Sequence, residues 1–440
     1  MRSLPWHSIA LASAAAAASF AAALLLVNMR ERKQEARAQA VEVTRLTADT
    51  LDPAVWGRNF PREFESFGRT ALTARTRYGG SEPYSHLEQD PRLKRIFAGY
   101  AFALDYREDR GHAWSLQNQD TSERTRQLPQ PGSCLPCHAS VLSAYRRAGG
   151  GDTMKGFEIV SAMPLAQARK LVERPIGCIE CHDPATMALR VTRPAFLRGI
   201  QALKQSQGVA NYDPNTMATR QEMRTYVCAQ CHAEYYFADE HKIVTHPWAK
   251  GLAADRIEAY YDETGFSDWP HAETGAAVLK AQHPEFETYS QGIHARAGVS
   301  CADCHMPFVR EGAVKVSDHH VRSPLRDGLG ACLACHPVGR QEIEARVQNI
   351  QDRHAALLSR AEDALVALIE ELRAARAAGV PAAALDAATR FQRRAQWRVD
   401  FVNAENSMGF HAPQESARML GEAIDYARQG QIAVVLVRRK

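Results

Sequence analysis

All ten cysteines of this 440-residue sequence fall inside one repeated run, Cys-x-x-Cys-His, and none is left over. The pairs are Cys134 and Cys137, Cys178 and Cys181, Cys228 and Cys231, Cys301 and Cys304, and Cys332 and Cys335, each followed at once by a histidine. That spacing is chemical: two thiols add across the two vinyl groups of one haem, and the adjacent imidazole reaches the iron as proximal ligand. A disulfide framework needs no histidine after every second cysteine, and a zinc knuckle would not repeat one fixed pentapeptide. The sequence therefore predicts five covalently bound c-type haems, with His138, His182, His232, His305 and His336 as proximal axial ligands.

Of seventeen histidines, those five are committed and twelve remain. A haem with imidazole on both faces is saturated and can only pass electrons, whereas one with an open face can bind and transform a substrate. One working haem and four relays would need four distal histidines. Four distinctive settings supply candidates: His112 after Arg110-Gly111, His294 after Gly292-Ile293, His319 or His320 after Asp318, and His411 within Gly409-Phe410-His411-Ala412-Pro413. Each alone is more often an ordinary surface or core histidine. Together they match the number required.

Haem attachment of this kind takes place outside the cytoplasm, so the chain is expected to be exported, and its start suits that. Arg2 precedes an apolar run from about Ile9 to Val27, closed by Arg30, Arg32 and Lys33. Roughly twenty apolar residues cross a bilayer, about twice the apolar region of a cleaved signal peptide. Residues 1–33 are therefore expected to anchor the protein on the periplasmic side of the cytoplasmic membrane, while Ala-x-Ala triplets between Ala36 and Ala40 leave a cleaved soluble form open. Residues 34–340 form the five-haem region and residues 341–440 a long-helix region. The motifs start at 134, 178, 228, 301 and 332, irregular intervals that argue against tandem copies of a small cytochrome.

The fold expected is mainly α, a multihaem cytochrome c with its haem core wrapped by helices and loops and long helices at the C-terminus. Ile343, Val347, Ile350, His354, Leu357, Ala361, Leu365, Leu368 and Leu372 recur at helical steps between Gln341 and Ala378, before Gly379 and Pro381. At ~1.5 Å per residue that helix spans roughly 55 Å. Further helices are expected over about Ala382 to Asn403 and Gln414 to Arg428. They could form an internal bundle or a subunit interface. A net charge of +4 and a pI near 8.5 give no reason to invoke nucleic acid, and they suit an anionic substrate if basic residues gather at one entrance.

Beyond the N-terminal segment the chain resembles the pentahaem cytochrome c nitrite reductases that form ammonium. The resemblance runs from Asp52-Pro53-Ala54-Val55-Trp56-Gly57 through Gly99-Tyr100-Ala101-Phe102 to Arg394-Ala395-Gln396-Trp397-Arg398. Its most specific pieces are Cys231-His232-Ala233-Glu234-Tyr235-Tyr236-Phe237 and Lys280-Ala281-Gln282-His283-Pro284-Glu285. It implies that the first motif holds the catalytic haem, its open face looking onto an arginine, Tyr235 and His283. The arginine lies in Thr121-Ser122-Glu123-Arg124-Thr125-Arg126, where the resemblance favours Arg124 and leaves Arg126 as a rival. It further implies a calcium ion held by Glu234, Gln282 and the carbonyls of Tyr235 and Lys280, an oxygen set suited to a hard cation. The distal pairing implied is His182 with His319, His232 with His112, His305 with His411, and His336 with His294. A membrane quinol dehydrogenase-type multihaem donor and a homodimer through the long helices are implied as partners.

The chemistry stands beside the resemblance. Taking nitrite to ammonium moves nitrogen from +3 to −3, so about six electrons must reach one iron, which a string of packed haems provides. Cleaving N–O bonds also needs protons and a fixed positive charge, roles open to His283 and Arg124. A tyrosine beside a haem is more often packed than reactive, and the side chain of Lys280 is expected as a solvated surface charge. One departure matters: most members have lysine after the first Cys-x-x-Cys, where this chain has His138. Other readings are a reductase of hydroxylamine or sulfite, or a pure electron carrier.

Overall fold

The computed structural model describes residues 5–38, 42–312 and 314–439. Arg2 and the Gln39–Ala40 part of the Ala-x-Ala triplets lie outside the described residues. Helices dominate, joined by 3-10 turns and loops, and the strands among the described residues make three short antiparallel hairpins. The first helix, Trp6–Ala38, contains a 27-residue stretch, Trp6–Arg32, long and apolar enough to cross a membrane. Its side chains Leu11, Phe20 and Leu25 are exposed rather than packed on the body.

Between residues 42 and 339 the helices are short, most of them four to thirteen residues. Many are punctuated by their own caps: Asp152, Asp213 and Thr219 each accept a backbone N–H of the helix they precede. The hairpin Tyr236–Ala238 with Ile243–Thr245 follows directly on Glu234-Tyr235 and fixes the direction in which that pair leaves the third haem motif.

The C-terminal region is different in kind. Helices Arg340–Ala377 and Ala382–Asn403 match the expected spans within a residue, separated by the turn at Gly379. The last helix runs from Pro413 to Arg438, ten residues beyond the end expected at Arg428. Gly430 lies within it where the neighbouring helix crosses closely: a Cβ at Gly430 would lie 2.6 Å from Leu368 Cδ2. Leu358, Ala361, Leu365, Leu368 and Leu372 pack with Met419, Leu420, Ala423 and Val434. The same apolar cluster includes Leu93, Phe97, Phe196, Trp248 and Trp269 from the five-haem region, so side chains on both sides of residue 340 share one core.

Candidate active site

Each Cys-x-x-Cys-His run sits on a turn or a short helix that presents the histidine at its end. Three of these imidazoles are held from behind by a backbone carbonyl: His138 Nδ1 to Ser115 O, His182 Nδ1 to Met187 O and His305 Nδ1 to Arg322 O, all at 3.0 Å. A carbonyl can only accept, so Nδ1 carries the hydrogen and Nε2 keeps its lone pair for a metal. Burial lowers the pKa of His138, His182 and His232, and takes that of His305 to about 4, which keeps these rings neutral.

Four of the five rings face a second imidazole from a distant part of the chain. Ring centroids are 6.4 Å apart for His112 and His232, 6.2 Å for His182 and His319, 6.3 Å for His294 and His336, and 6.3 Å for His305 and His411. Two iron–nitrogen bonds of about 2 Å with half a ring at each end span on the order of 6 Å, so each pair fits one iron between its rings. His319, not His320, is the member that meets His182, and its Nδ1 bonds Ser317 O at 2.8 Å. His411 is backed by Glu405, whose Oε1 lies 2.6 Å from Nδ1. Gly292 makes one of these arrangements possible: a Cβ there would stand 2.0 Å from His411 O, so only glycine lets the His294 segment pass so close.

Among the described residues no second imidazole faces His138 in this way. The surroundings of the first motif are set by other groups. Arg124 sits on the short helix Glu123–Gln127, whose N-terminus is capped by Ser122 and by Asp105, the latter accepting Glu123 N at 2.8 Å. Its guanidinium lies 4.1 Å over the Phe102 ring, and its Nη1 is buried with no hydrogen-bond partner. Arg126 on the same turn points outward: its side chain is 59% exposed and pairs with Glu123 at 2.9 Å. The two arginines thus differ sharply in environment.

Tyr235 is half-buried, its phenol pushed well above its ordinary pKa by burial. His283 lies with its ring centroid 6.4 Å from that of His232 and its Nδ1 3.8 Å from Glu285 Oε1, too far for a hydrogen bond but close enough for attraction. Burial works against charge on His283, yet Glu285 and Asp109 outweigh it and raise its pKa. His232 therefore has two imidazole neighbours of opposite preference, since burial and His232 itself take His112 down to about 4. The one of lowered pKa suits a metal and the one of raised pKa a proton donor.

Glu234 is wholly buried and its two oxygens accept from Tyr261 OH at 3.0 Å and Gln282 N at 2.6 Å. That second bond joins the Glu234-Tyr235 segment to Lys280-Ala281-Gln282. No basic side chain pairs with Glu234 among the described residues, and burial holds its pKa well above the carboxylate range. A buried carboxylate next to an amide and backbone carbonyls, with no cation of its own, fits a hard divalent cation. Asp268, which accepts Lys280 N at 2.9 Å, stands in the same buried group and is pushed up to about 7 by burial. Tyr261 and Asp268 carry no motif that sequence reading could have singled out.

The solvated surface charge expected at Lys280 is not found. Its side chain is buried, its Nζ lies 2.9 Å from Asp400 Oδ1, and it stands 4.7 Å over the Phe102 ring. The apolar walls of Phe97, Phe102 and Tyr106 exclude water there, so the ammonium is matched by Asp400 rather than by solvent. Phe102 thus carries Lys280 and Arg124 against one ring.

A model of the cytochrome c552 family matches residues 52–440. The chain is 37% identical over 419 residues to cytochrome c-552 of Bacteroides fragilis, covering 91% of this chain and 81% of that one. It is 38% identical over 390 residues to cytochrome c-552 of Parabacteroides distasonis, covering 87% and 76%. Its fold is similar to that of the catalytic subunit of cytochrome c nitrite reductase from Desulfovibrio desulfuricans, described with two calcium sites. The TM-score is 0.81 at 29% identity, over 89% of this chain and 88% of that one.

Proposed function

From the premise that this chain belongs to the cytochrome c552 family, the ammonia-forming cytochrome c nitrite reductases, we propose that it reduces nitrite to ammonium at the haem held by Cys134, Cys137 and His138. The observation that carries this assignment is the contrast at the proximal histidines: four face a second imidazole at 6.2–6.4 Å, and His138 alone does not. The other four motifs, with His112, His319, His294 and His411 facing their proximal histidines, would hold haems suited to passing electrons. Held by Cys134, Cys137 and His138, a haem would supply an iron able to take a substrate, and the haems of the other motifs would supply a path for about six electrons.

The protein's own groups do the rest. Arg124 presents a guanidinium with a free buried nitrogen to an arriving anion, and its charge opposes that of oxygen as N–O bonds break. His283, whose pKa Glu285 and Asp109 raise against the effect of burial, hands on a proton. Tyr235 orients the anion with a phenol that burial keeps neutral. Glu234, Gln282 and the carbonyls of Tyr235 and Lys280 would hold calcium, which would offset the buried carboxylate, while the Gln282 N–H bond to Glu234 ties the Tyr235 segment to the His283 loop.

The helix Trp6–Ala38 anchors the protein to the outer face of the cytoplasmic membrane, where a membrane-bound multihaem quinol dehydrogenase delivers electrons. Two chains associate through the long C-terminal helices, on which Ile432 and Leu436 are exposed. The deciding experiment supplies purified protein with a reduced viologen and nitrite and quantifies ammonium. Stoichiometric ammonium with a high-spin haem signal in the isolated protein is expected. Absence of any high-spin haem would remove the open face and leave an electron carrier.

A further inference from the structure

Arg193 lies at the junction of three haem motifs and is used by none of the chemistry above. Its guanidinium and the carboxylate of Glu180 are each 1% exposed and form an ion pair through Nη1 and Oε2. Glu180 is an interior residue of the second motif, Cys178-Ile179-Glu180-Cys181-His182. The other nitrogens of Arg193 reach into the first motif: Nε donates to Pro136 O at 2.5 Å and Nη2 to Ala139 O at 3.2 Å. Those two carbonyls bracket Cys137-His138.

The third motif closes the remaining side. Gln230, between Cys228 and Cys231, accepts Thr192 N at 2.9 Å and Arg193 N at 3.2 Å, and donates to Glu180 O at 3.1 Å. Thr192 Oγ1 donates to Glu180 at 3.1 Å. The interior residues of two Cys-x-x-Cys runs and the backbone of a third are thus tied together by one arginine. Stability is a weak reason for such a pair, because a buried ion pair often gains nothing over apolar residues of the same volume. What the arrangement does have is direction: the negative end belongs to the second motif, and the positive end hangs on the backbone that carries His138.

We propose that Arg193 and Glu180 form a fixed, water-excluded dipole that positions the His138 segment and raises the reduction potential of the first haem relative to the second. A positive charge stabilises the reduced form of a nearby haem and a negative charge destabilises it, most strongly where water is excluded. The pair therefore favours the electron on the haem of the first motif, the working one under the proposed function, on which this inference rests. Arg193 is a positioning residue, acting through Pro136, Ala139 and the field of its charge.

The test is redox titration of the holoprotein, followed haem by haem in its visible and electron paramagnetic resonance spectra. The double variant Arg193→Gln with Glu180→Gln replaces the ion pair by neutral groups of similar shape. It is expected to retain five haems, to lower the first midpoint potential and raise the second, and to lose about tenfold in turnover with KM little changed. Unchanged potentials with all five haems bound would overturn the proposal. Should the double variant not assemble, Glu180→Gln decides: the second haem's potential rises if its carboxylate acts there, and a constant value refutes the dipole. Arg193→Lys keeps the charge but cannot bridge two carbonyls, so it should preserve most of the potential gap while altering the first haem's high-spin signal. An unaltered signal would remove the positioning role. If the potentials move as expected but the wild-type protein forms no ammonium, the dipole stands and the assignment of the activity falls.

Discussion

The segment around His138 and the segments around the other four proximal histidines begin from the same pentapeptide and end in different surroundings. At His182, His232, His305 and His336 the space opposite the imidazole is bounded by a second imidazole brought from elsewhere in the chain. Near the first motif stand instead groups that carry or move charge: a guanidinium with one buried, unpaired nitrogen, a histidine of raised pKa and a neutral phenol. The motif is therefore constant and what faces its histidine differs. A multihaem protein can assign one reactive centre and several relays without altering the motif that builds them.

This comparison breaks most sharply at Arg124. Arg124→Gln is expected to lower kcat/KM for nitrite about 10²–10³-fold, the cost of removing a charge preorganised against a developing anion. Arg126→Gln, exposed and paired with Glu123, should stay within about twofold in the same steady-state assay. Equal losses would erase the distinction between the two arginines.

His283→Ala comes next, with ammonium formation reduced about 10²-fold while haem content stays at five. Unchanged turnover would remove His283 from the chemistry. At a relay haem the converse change is informative: His112→Gly should turn a saturated haem into an open one, read as a second high-spin signal, with a smaller loss of turnover of about tenfold. A spectrum identical to wild type would show that His112 is not the ligand opposite His232.

The smallest effect is on pH dependence. Burial opposes the charge on His283, but Glu285 and Asp109 raise its folded pKa above the usual 6.5. The stabilisation this gives the folded state is complete below about 6.5 and is lost as pH rises through the raised value. The proton donor disappears over the same interval, so turnover should decline on the alkaline side, and His283→Gln should flatten that limb. A decline of equal steepness in the variant would assign it to another group.

The two halves of the chain also differ in how much of them could be read in advance. The helix Arg340–Ala377 buries Ile343, Val347, Leu365, Leu368 and Leu372 on one face, so periodicity alone located it. Between residues 42 and 339 the elements are too short to carry a period, and caps and haem motifs determine where they begin. The last helix outruns the end expected at Arg428, and the glycine at 430 inside it serves a close helix crossing. Lys280 misled because nothing local distinguishes a lysine that meets water from one that meets Asp400, 120 residues away.

The number of haems, their covalent attachment and their proximal histidines were determined by sequence alone, because each is complete within five consecutive residues. Which imidazoles meet, whether Arg124 or Arg126 keeps a buried, unpaired nitrogen, and whether His319 or His320 faces His182 were decided only by the tertiary structure. The imidazole pairs join positions between 42 and 137 residues apart, 294 with 336 and 182 with 319 at the extremes. Contacts of that range are set by the packing of the whole chain, and no local spacing encodes them.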